Sequence, residues 1–133
     1  MKYVLSVCVF IFVYADLYAP SARRVYIEVS QPIDRYERLI KAVVDVESGG
    51  NIWAYNAKEG AVGAFQIRQI RVDHYNQLTG NNYCLYDMYT YEIAREMFVY
   101  FAERLCDFET IARRWNGAGV MTDEYWEKVK SQL

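Results

Sequence analysis

The stretch "VVDVESGGN", Val43 to Asn51, joins an apolar run to a glutamate and then to two glycines. Apolar residues recur there at three- and four-residue spacing, which predicts an amphipathic helix that starts near Pro32 and Asp34. Gly49 and Gly50 supply the left-handed backbone that ends such a helix. The glutamate shares the apolar face, which consists of Leu39, Ile40, Val43, Val44 and Glu47.

Glu47 has two interpretations at this position. A carboxyl group on an apolar face loses solvation in its charged form, and the negative end of the helix dipole disfavours the same form. Both effects raise its pKa, so Glu47 could carry a proton near neutral pH and act as a general acid. Alternatively, its headgroup reaches water or pairs with an arginine. Asp45 lies two residues back, on roughly the opposite face, and cannot pair with Glu47 directly.

Two helices follow an irregular, glycine-bearing segment at Asn51 to Ile67. The first is expected at Arg71 to Leu78. The second starts near Thr90 and has a wide apolar stripe, which predicts a helix packed in the core. This stripe consists of Ile93, Ala94, Met97, Phe98, Phe101, Ala102 and Leu105.

Two shorter helices complete the pattern. Asp107 is a suitable N-cap for a fourth helix that runs through Trp115, and Thr122 or Asp123 for a fifth that runs to the C-terminus. Five short helices around one irregular segment predict a small, mainly α domain at residues 33–133, with a cleft beside that segment.

Composition limits the functions to consider. The chain has 133 residues, 53% hydrophobic and 24% charged, which is typical of one globular domain. A formal charge of -2 without a long basic run gives no electrostatic reason to expect a nucleic-acid partner. The only histidine, His74, gives no motif for a Ser/His/Asp triad. Together with Cys84 and Cys106, the two cysteines beyond residue 22, it falls short of four zinc ligands, so we expect neither a metal nor a cofactor.

The N-terminus is typical of an export signal. Lys2 precedes the apolar run Tyr3 to Ala15, and small residues follow, as in secretory signal peptides. The run is shorter than the ~20 apolar residues that a spanning helix needs. Residues 1–22 are therefore expected to be a signal peptide or an uncleaved membrane anchor, and residues 23–32 a linker.

Two cysteines remain after such a leader is removed. Cys84 and Cys106 could form one disulfide, which would stabilise an exported domain of little more than a hundred residues. The alternative is two buried free thiols.

Three short blocks stand in a recognisable order. Glu47 and Ser48 end the first helix, "GAVGAFQI" spans Gly60 to Ile67, and "IARRWNGAG" spans Ile111 to Gly119. Together they resemble the lytic transglycosylases, the murein-cleaving enzymes related to goose-type lysozyme. That family has Glu-Ser at a helix end, then a Gly-Leu-Met-Gln-Ile block, then an Ala-Tyr-Asn block in a later helix. The resemblance covers about residues 33–133.

The resemblance implies an α+β, lysozyme-like fold and cleavage of the β-1,4 bond between N-acetylmuramic acid and N-acetylglucosamine in peptidoglycan. In that family one glutamate protonates the glycosidic oxygen and then removes the proton of the C6 hydroxyl of the muramic sugar. The sugar closes to a 1,6-anhydro product, so no second carboxylate is required, unlike in ordinary glycosidases. By this resemblance Glu47 is both the acid and the base.

Further residues match the binding positions of the family. Ser48 would hydrogen-bond near the site, and Asn116 would line the cleft. Gln66 and the backbone of Ala64 to Ile67 would bind sugar hydroxyls and acetamido groups. Alternatively, Gln66 is an exposed loop amide and Asn116 a helix C-cap. The complete substrate-binding set is Ser48, Gly63, Ala64, Phe65, Gln66, Ile67, Trp115 and Asn116.

Trp115 departs from the family, which has tyrosine before the asparagine. An indole N–H donates a hydrogen bond but cannot accept one, so the support of the catalytic carboxyl is expected to differ. Phe65 replaces the usual methionine, which is a conservative apolar change.

Three alternative functions remain open. A hydrolytic lysozyme would use Glu47 with a water molecule positioned by a second carboxylate such as Glu59 or Asp73. Loss of catalysis would leave a peptidoglycan-binding module. In a helical envelope scaffold the three blocks would be coincidental.

Peptidoglycan glycan strands are the expected partner, and the periplasm or cell envelope is the expected location. We expect a monomer. A small catalytic domain without an evident wall-binding repeat suggests local opening of the wall for a secretion, conjugation or phage apparatus.

Overall fold

The computed structural model describes residues 35–117 and 119–133. The expected signal peptide or anchor, the linker, and the proposed helix start at Pro32 and Asp34 lie outside these residues. The described part is mainly helical, which confirms the mainly α prediction. Its elements in chain order are α1 (Glu37–Ser48), β1 (Tyr55–Asn56), β2 (Ala61–Val62), α2 (Gln69–Thr79), a 3-10 helix (Leu85–Tyr89), α3 (Tyr91–Ala102), α4 (Phe108–Asn116) and α5 (Met121–Lys130).

Helix α1 ends where its glycines predict. Gly49 has a φ of 61°, and its N–H donates to the Asp45 carbonyl at 3.1 Å. This left-handed residue satisfies a carbonyl of the last turn and directs the chain away from the helix axis. The apolar stripe is buried as expected, through Leu39, Ile40, Ala42, Val43 and Val44.

The irregular segment contains a small hairpin that the sequence pattern does not predict. Strands β1 and β2 pair antiparallel, with Tyr55 opposite Val62 and Asn56 opposite Ala61. Val62 and Ile67 then form a further bridge, with N–O distances of 3.0 and 2.9 Å. Strands of two residues are too short to show alternating hydrophobicity, which explains why only the glycines of this segment were recognisable.

Aromatic rings from three parts of the chain form the centre of the core. Phe65 and Phe98 are fully buried, and their ring centroids are 5.5 Å apart. Trp115 meets Phe98 edge-on at 4.8 Å. The three rings join the loop after the hairpin to α3 and α4, because each element contributes one of them.

Helix α3 is shorter than its apolar stripe. It begins after Thr90 as predicted, but it ends at Ala102, so Leu105 lies in the following turn. The prediction that Leu105 belongs to the helical stripe is therefore wrong. Apolar spacing continues into this turn because Leu105 still packs against the core.

The predicted N-cap is confirmed for α4, whereas the predicted N-caps for α5 are wrong. Asp107 accepts the Thr110 N–H at 2.8 Å, as expected of an N-cap. Helix α5 instead begins at Met121, so Thr122 and Asp123 lie within its first turn. The Thr122 hydroxyl donates to the Gly119 carbonyl at 2.8 Å, and the Asp123 carboxylate pairs with Arg113 of α4.

Cys84 and Cys106, for which a disulfide was considered, are both exposed free thiols in the structure. The alternative prediction of two buried free thiols is wrong, because both thiols are exposed and neither side chain enters the core. Over the same described residues, no helix is both long and apolar enough to cross a membrane.

Candidate active site

A cleft of about 280 Å³ lies where the end of α1 faces the hairpin, the end of α4 and one side of α5. It is the place where the three sequence blocks meet, since each block contributes at least one lining residue. The lining consists of Val46, Glu47, Asn56, Glu59, Gln66, Arg68, Arg71, Trp115, Asn116, Met121, Glu124, Tyr125 and Lys128.

Glu47 occupies the inner end of this cleft as a half-buried residue in the last turn of α1. The Tyr125 hydroxyl donates a hydrogen bond to its Oε1 at 2.8 Å. Burial raises the pKa of Glu47 to about 7, although this hydrogen bond opposes the rise. A pKa near 7 leaves a large fraction of the carboxyl protonated at neutral pH, which suits a general acid.

Nearby charges adjust this pKa in both directions. The Glu59 carboxylate raises the pKa of Glu47, whereas the guanidinium groups of Arg71 and Arg68 lower it. None of the ion pairs among the described residues includes Glu47. The alternative in which Glu47 pairs directly with an arginine is therefore not the observed arrangement.

Arg71 is held beside the cleft by Trp115. Its guanidinium donates to the Trp115 carbonyl at 2.9 Å and lies 4.1 Å from the centre of the indole ring. Burial lowers the pKa of Arg71 from its ordinary value, yet arginine remains charged in proteins. A fixed positive charge near Glu47 can stabilise the carboxylate that forms when the acid gives up its proton.

Ser48 joins the first block to the second. Its hydroxyl donates to the Ala64 carbonyl at 2.8 Å and to the Val44 carbonyl at 3.2 Å. Ser48 does not line the cleft. It instead fixes the loop that carries Gln66 relative to the C-terminal end of α1.

Ala64, Phe65 and Ile67 belong to the core rather than to the cleft surface, with at most 2% of each exposed. The Phe65 carbonyl accepts from the Trp115 indole at 3.3 Å, and the Ile67 backbone pairs with Val62. These backbone groups were expected to bind sugars, but they already have partners within the fold. These residues therefore support the backbone on both sides of Gln66.

Gly63 of the same block occupies a position that requires glycine. Its φ is 76°, and a Cβ placed on it would lie 2.2 Å from the Met88 carbonyl oxygen. Only glycine allows the hairpin to approach the 3-10 helix this closely.

Gln66 lines the cleft in a strained conformation. Within the described residues it is the one non-glycine residue with a positive φ, 50°. Its Nε2 donates to the carbonyls of Gly63 at 3.0 Å and Ala54 at 3.4 Å, which orients its Oε1 as an acceptor. Strained residues cluster at binding and catalytic sites, where the surrounding structure holds them in place. Gln66 is thus not an ordinary exposed loop amide.

In the third block, Trp115 packs in the core and Asn116 lines the cleft. Trp115 is 6% exposed and directs its indole N–H to Phe65, so it does not support the Glu47 carboxyl. Asn116 is the last residue of α4 and lines the cleft, with Gly117 as the C-cap.

Several lining residues were not recognised in the sequence. Tyr125 is the most important, because it is the direct hydrogen-bonding partner of Glu47. Met121, Tyr125 and Lys128 are spaced four and three residues apart, which places them on one face of α5. The spacing could have identified that face, but not the helix end that it meets.

The two candidate second carboxylates differ in position. Glu59, in the loop between β1 and β2, lines the cleft with Glu47. Asp73 lies on the exposed side of α2, where its carboxylate accepts from Gln69 at 2.8 Å, and it is not a lining residue.

Comparisons with known proteins give no match to this chain, neither to a family model nor to a curated protein nor to a solved structure. Among the described residues there is also no group of three or more side chains placed to hold a metal ion.

Proposed function

We propose that this protein is a peptidoglycan lytic transglycosylase with a lysozyme-like domain, in which Glu47 is the single catalytic acid and base. The observation that carries the proposal is the half-buried Glu47 carboxyl, with a pKa of about 7, hydrogen-bonded to Tyr125 in a cleft. This observation supports the resemblance of the three sequence blocks, since all three contribute residues to that cleft.

The reaction uses the carboxyl group twice. Protonated Glu47 gives its proton to the glycosidic oxygen between N-acetylmuramic acid and N-acetylglucosamine, and the bond from the muramic C1 to that oxygen breaks. The resulting carboxylate then takes the proton of the C6 hydroxyl of the same sugar. The C6 oxygen bonds to C1, which forms the 1,6-anhydro ring and restores the acid, so water is not consumed.

The surroundings of Glu47 fit both steps. Burial keeps the acid protonated before the first step, while Tyr125 and Arg71 favour the carboxylate that exists between the steps. The side chains of Gln66, Asn116 and Asn56 offer amide groups along the cleft, and amides bind sugar hydroxyl and acetamido groups.

Hydrolysis of the same bond is the second candidate, and the position of Glu59 favours it. A carboxylate that shares the cleft with the acid could activate a water molecule on the other side of the sugar ring. The two candidates differ in product. Transglycosylation gives anhydro-muropeptides, whereas hydrolysis gives reducing ends that contain one additional water.

Mass spectrometry of the fragments released from purified peptidoglycan tests the proposal. We expect anhydro-muropeptides from the wild-type protein and a loss of at least about a hundredfold in rate for Glu47→Gln. Asp45→Asn is the matched control, because Asp45 lies on the same helix and bonds to Lys41 at 2.6 Å instead of facing the cleft.

The other outcomes separate the alternatives. Reducing-end products that disappear in Glu59→Gln would establish a hydrolytic lysozyme. Absence of fragments despite binding to peptidoglycan would indicate a binding module, and absence of both would leave a scaffold. The proposal includes export to the periplasm or cell envelope, where the substrate lies, and local wall opening for a secretion, conjugation or phage apparatus.

A further inference from the structure

Three aromatic side chains form a cluster outside the cleft, which we name the aromatic platform: Trp53, Tyr86 and Tyr89. Trp53 is 65% exposed and Tyr86 is 71% exposed. The Trp53 ring stacks on Tyr89 with centroids 5.6 Å apart and planes 29° apart, and Tyr86 meets Tyr89 edge-on at 5.6 Å. Tryptophan is largely buried on average in proteins, so a contiguous cluster of exposed aromatic rings is a candidate binding surface.

Contacts within the fold support the residues of the aromatic platform. The backbone N–H of Trp53 donates to the Asn51 side-chain carbonyl at 2.9 Å, shortly after the end of α1. Tyr86 and Tyr89 stand on the 3-10 helix, where Tyr89 is half-buried against the core. The close approach of Gly63 to Met88 fixes this helix against the hairpin. The backbone that carries the platform is therefore held in place by neighbouring elements.

The platform borders the cleft. Trp53 precedes Ala54, whose carbonyl accepts from the side chain of Gln66 at 3.4 Å and from the Gly63 N–H at 2.9 Å. Three residues after Trp53, Asn56 lines the cleft itself. Trp53 therefore lies within three residues of a cleft-lining residue and next to the residue that holds the Gln66 side chain.

We propose that the aromatic platform is an accessory glycan-binding surface, which stacks the apolar faces of β-1,4-linked N-acetylhexosamine rings that lie beyond the cleft. This inference rests on the function proposed above. A pyranose ring has two faces of C–H groups and a rim of hydroxyls, so a flat exposed ring covers one face while the rim stays in water.

The composition of the platform favours a glycan over a nucleic acid. Its three residues carry no cation that could bind a phosphate. Asp87 lies beside Tyr86 in the same helix, and its carboxylate accepts the Cys84 N–H at 2.8 Å. A fixed negative charge at this place disfavours a phosphate backbone, whose affinity depends on cationic contacts.

Long and short substrates should respond differently to loss of the platform. We expect Trp53→Ala to weaken binding of long glycan strands about fivefold to tenfold. It should raise KM for long strands and leave kcat unchanged. The cleavage of a short fragment that fills only the cleft should not change, because such a fragment does not reach Trp53.

The test uses the full chain with Glu47→Gln, so that strands are bound but not cut, and measures binding to peptidoglycan sacculi and to glycan strands freed of stem peptides by an amidase. Glu47→Gln/Trp53→Ala is compared with Glu47→Gln/Leu78→Ala. Leu78 is an exposed apolar residue of α2, 52% exposed and outside the platform. We expect the first double variant to lose affinity on both substrates and the second to keep it.

Equal binding by the two double variants would overturn the proposal of a glycan-binding platform. A loss of affinity for sacculi but not for peptide-free strands would overturn it as well. Wild-type protein tested in parallel separates this failure from that of the proposed function. If the wild type releases fragments while Trp53→Ala binds normally, only the proposal of the platform is wrong. If the wild type releases none and Glu47→Gln does not bind, both proposals are wrong.

Discussion

At the scale of single residues, the pKa of Glu47 is set by opposing effects of burial and of neighbouring groups. Burial disfavours the carboxylate more strongly than Tyr125, Arg71 and Arg68 favour it, and the pKa reaches about 7. A carboxyl group with this pKa can give a proton at neutral pH and take one back after it has become a carboxylate. This balance is what the proposed two-step reaction requires.

Tyr125→Phe should shift the pH dependence of cleavage. The hydroxyl favours the charged form of Glu47, so its removal raises the pKa further above 7. We expect the alkaline limb of kcat/KM, measured on peptidoglycan, to move to higher pH, and kcat to fall about tenfold because the carboxyl loses its orienting partner. Tyr55→Phe, at an exposed residue outside the cleft, is the control. An unchanged limb would mean that the hydrogen bond does not influence the acid.

At the scale of secondary-structure elements, close contacts between short segments position the site. Gly63 lets the hairpin approach the 3-10 helix, and Ser48 ties α1 to the loop that follows the hairpin. Arg113 of α4 pairs with Glu109 at 2.7 Å and with Asp123 of α5. The last contact joins α4 to the helix that carries Tyr125, so it helps to place the hydroxyl opposite Glu47.

Gly63→Ala should destabilise the protein much more than Gly60→Ala. Both glycines have a positive φ, 76° and 62°, and an alanine in this region costs about 1 kcal/mol. A Cβ on Gly60 meets open space, whereas one on Gly63 would lie 2.2 Å from the Met88 carbonyl oxygen. We expect Gly63→Ala to lower the free energy of unfolding by more than about 3 kcal/mol, measured by urea denaturation. Equal losses would mean that the hairpin does not pack on the 3-10 helix.

At the scale of the whole molecule, the candidate acid reduces stability. The pKa of Glu47 rises from 4.5 to about 7 on folding, so the folded chain binds more protons than the unfolded chain between these values. The free energy of unfolding therefore falls as the pH increases through this window. The difference in pKa corresponds to about 3 kcal/mol at pH 8.

Glu47→Gln should consequently stabilise the protein at alkaline pH. We expect its free energy of unfolding to exceed that of the wild type by up to about 3 kcal/mol at pH 8 and to match it near pH 4, where both side chains are neutral. Urea denaturation followed by tryptophan fluorescence measures both values. Asp45→Asn should give no gain at pH 8, because it loses the ion pair with Lys41. A constant difference between wild type and Glu47→Gln at both pH values would contradict the buried acid.

Local sequence features were enough to predict the helical class, the end of α1 at Gly49 and the Asp107 cap of α4. These features depend on local spacing and on single-residue backbone preferences, which any reader of the chain can recognise. The apolar stripe left two interpretations of Glu47, and the order of the three blocks favoured the general acid. Gln66 and Asn116 followed from the order of the three blocks.

The groups that surround Glu47 depend on long-range packing and could not be predicted from the sequence. Tyr125 is 78 residues away along the chain, and no local pattern indicates that its face of α5 meets the end of α1. The same reason separates Glu59, which lines the cleft, from Asp73, which does not. Burial, and with it the pKa of Glu47, depends on contacts among distant segments. Such contacts are fixed by how the helices pack and are not encoded in the residues beside it.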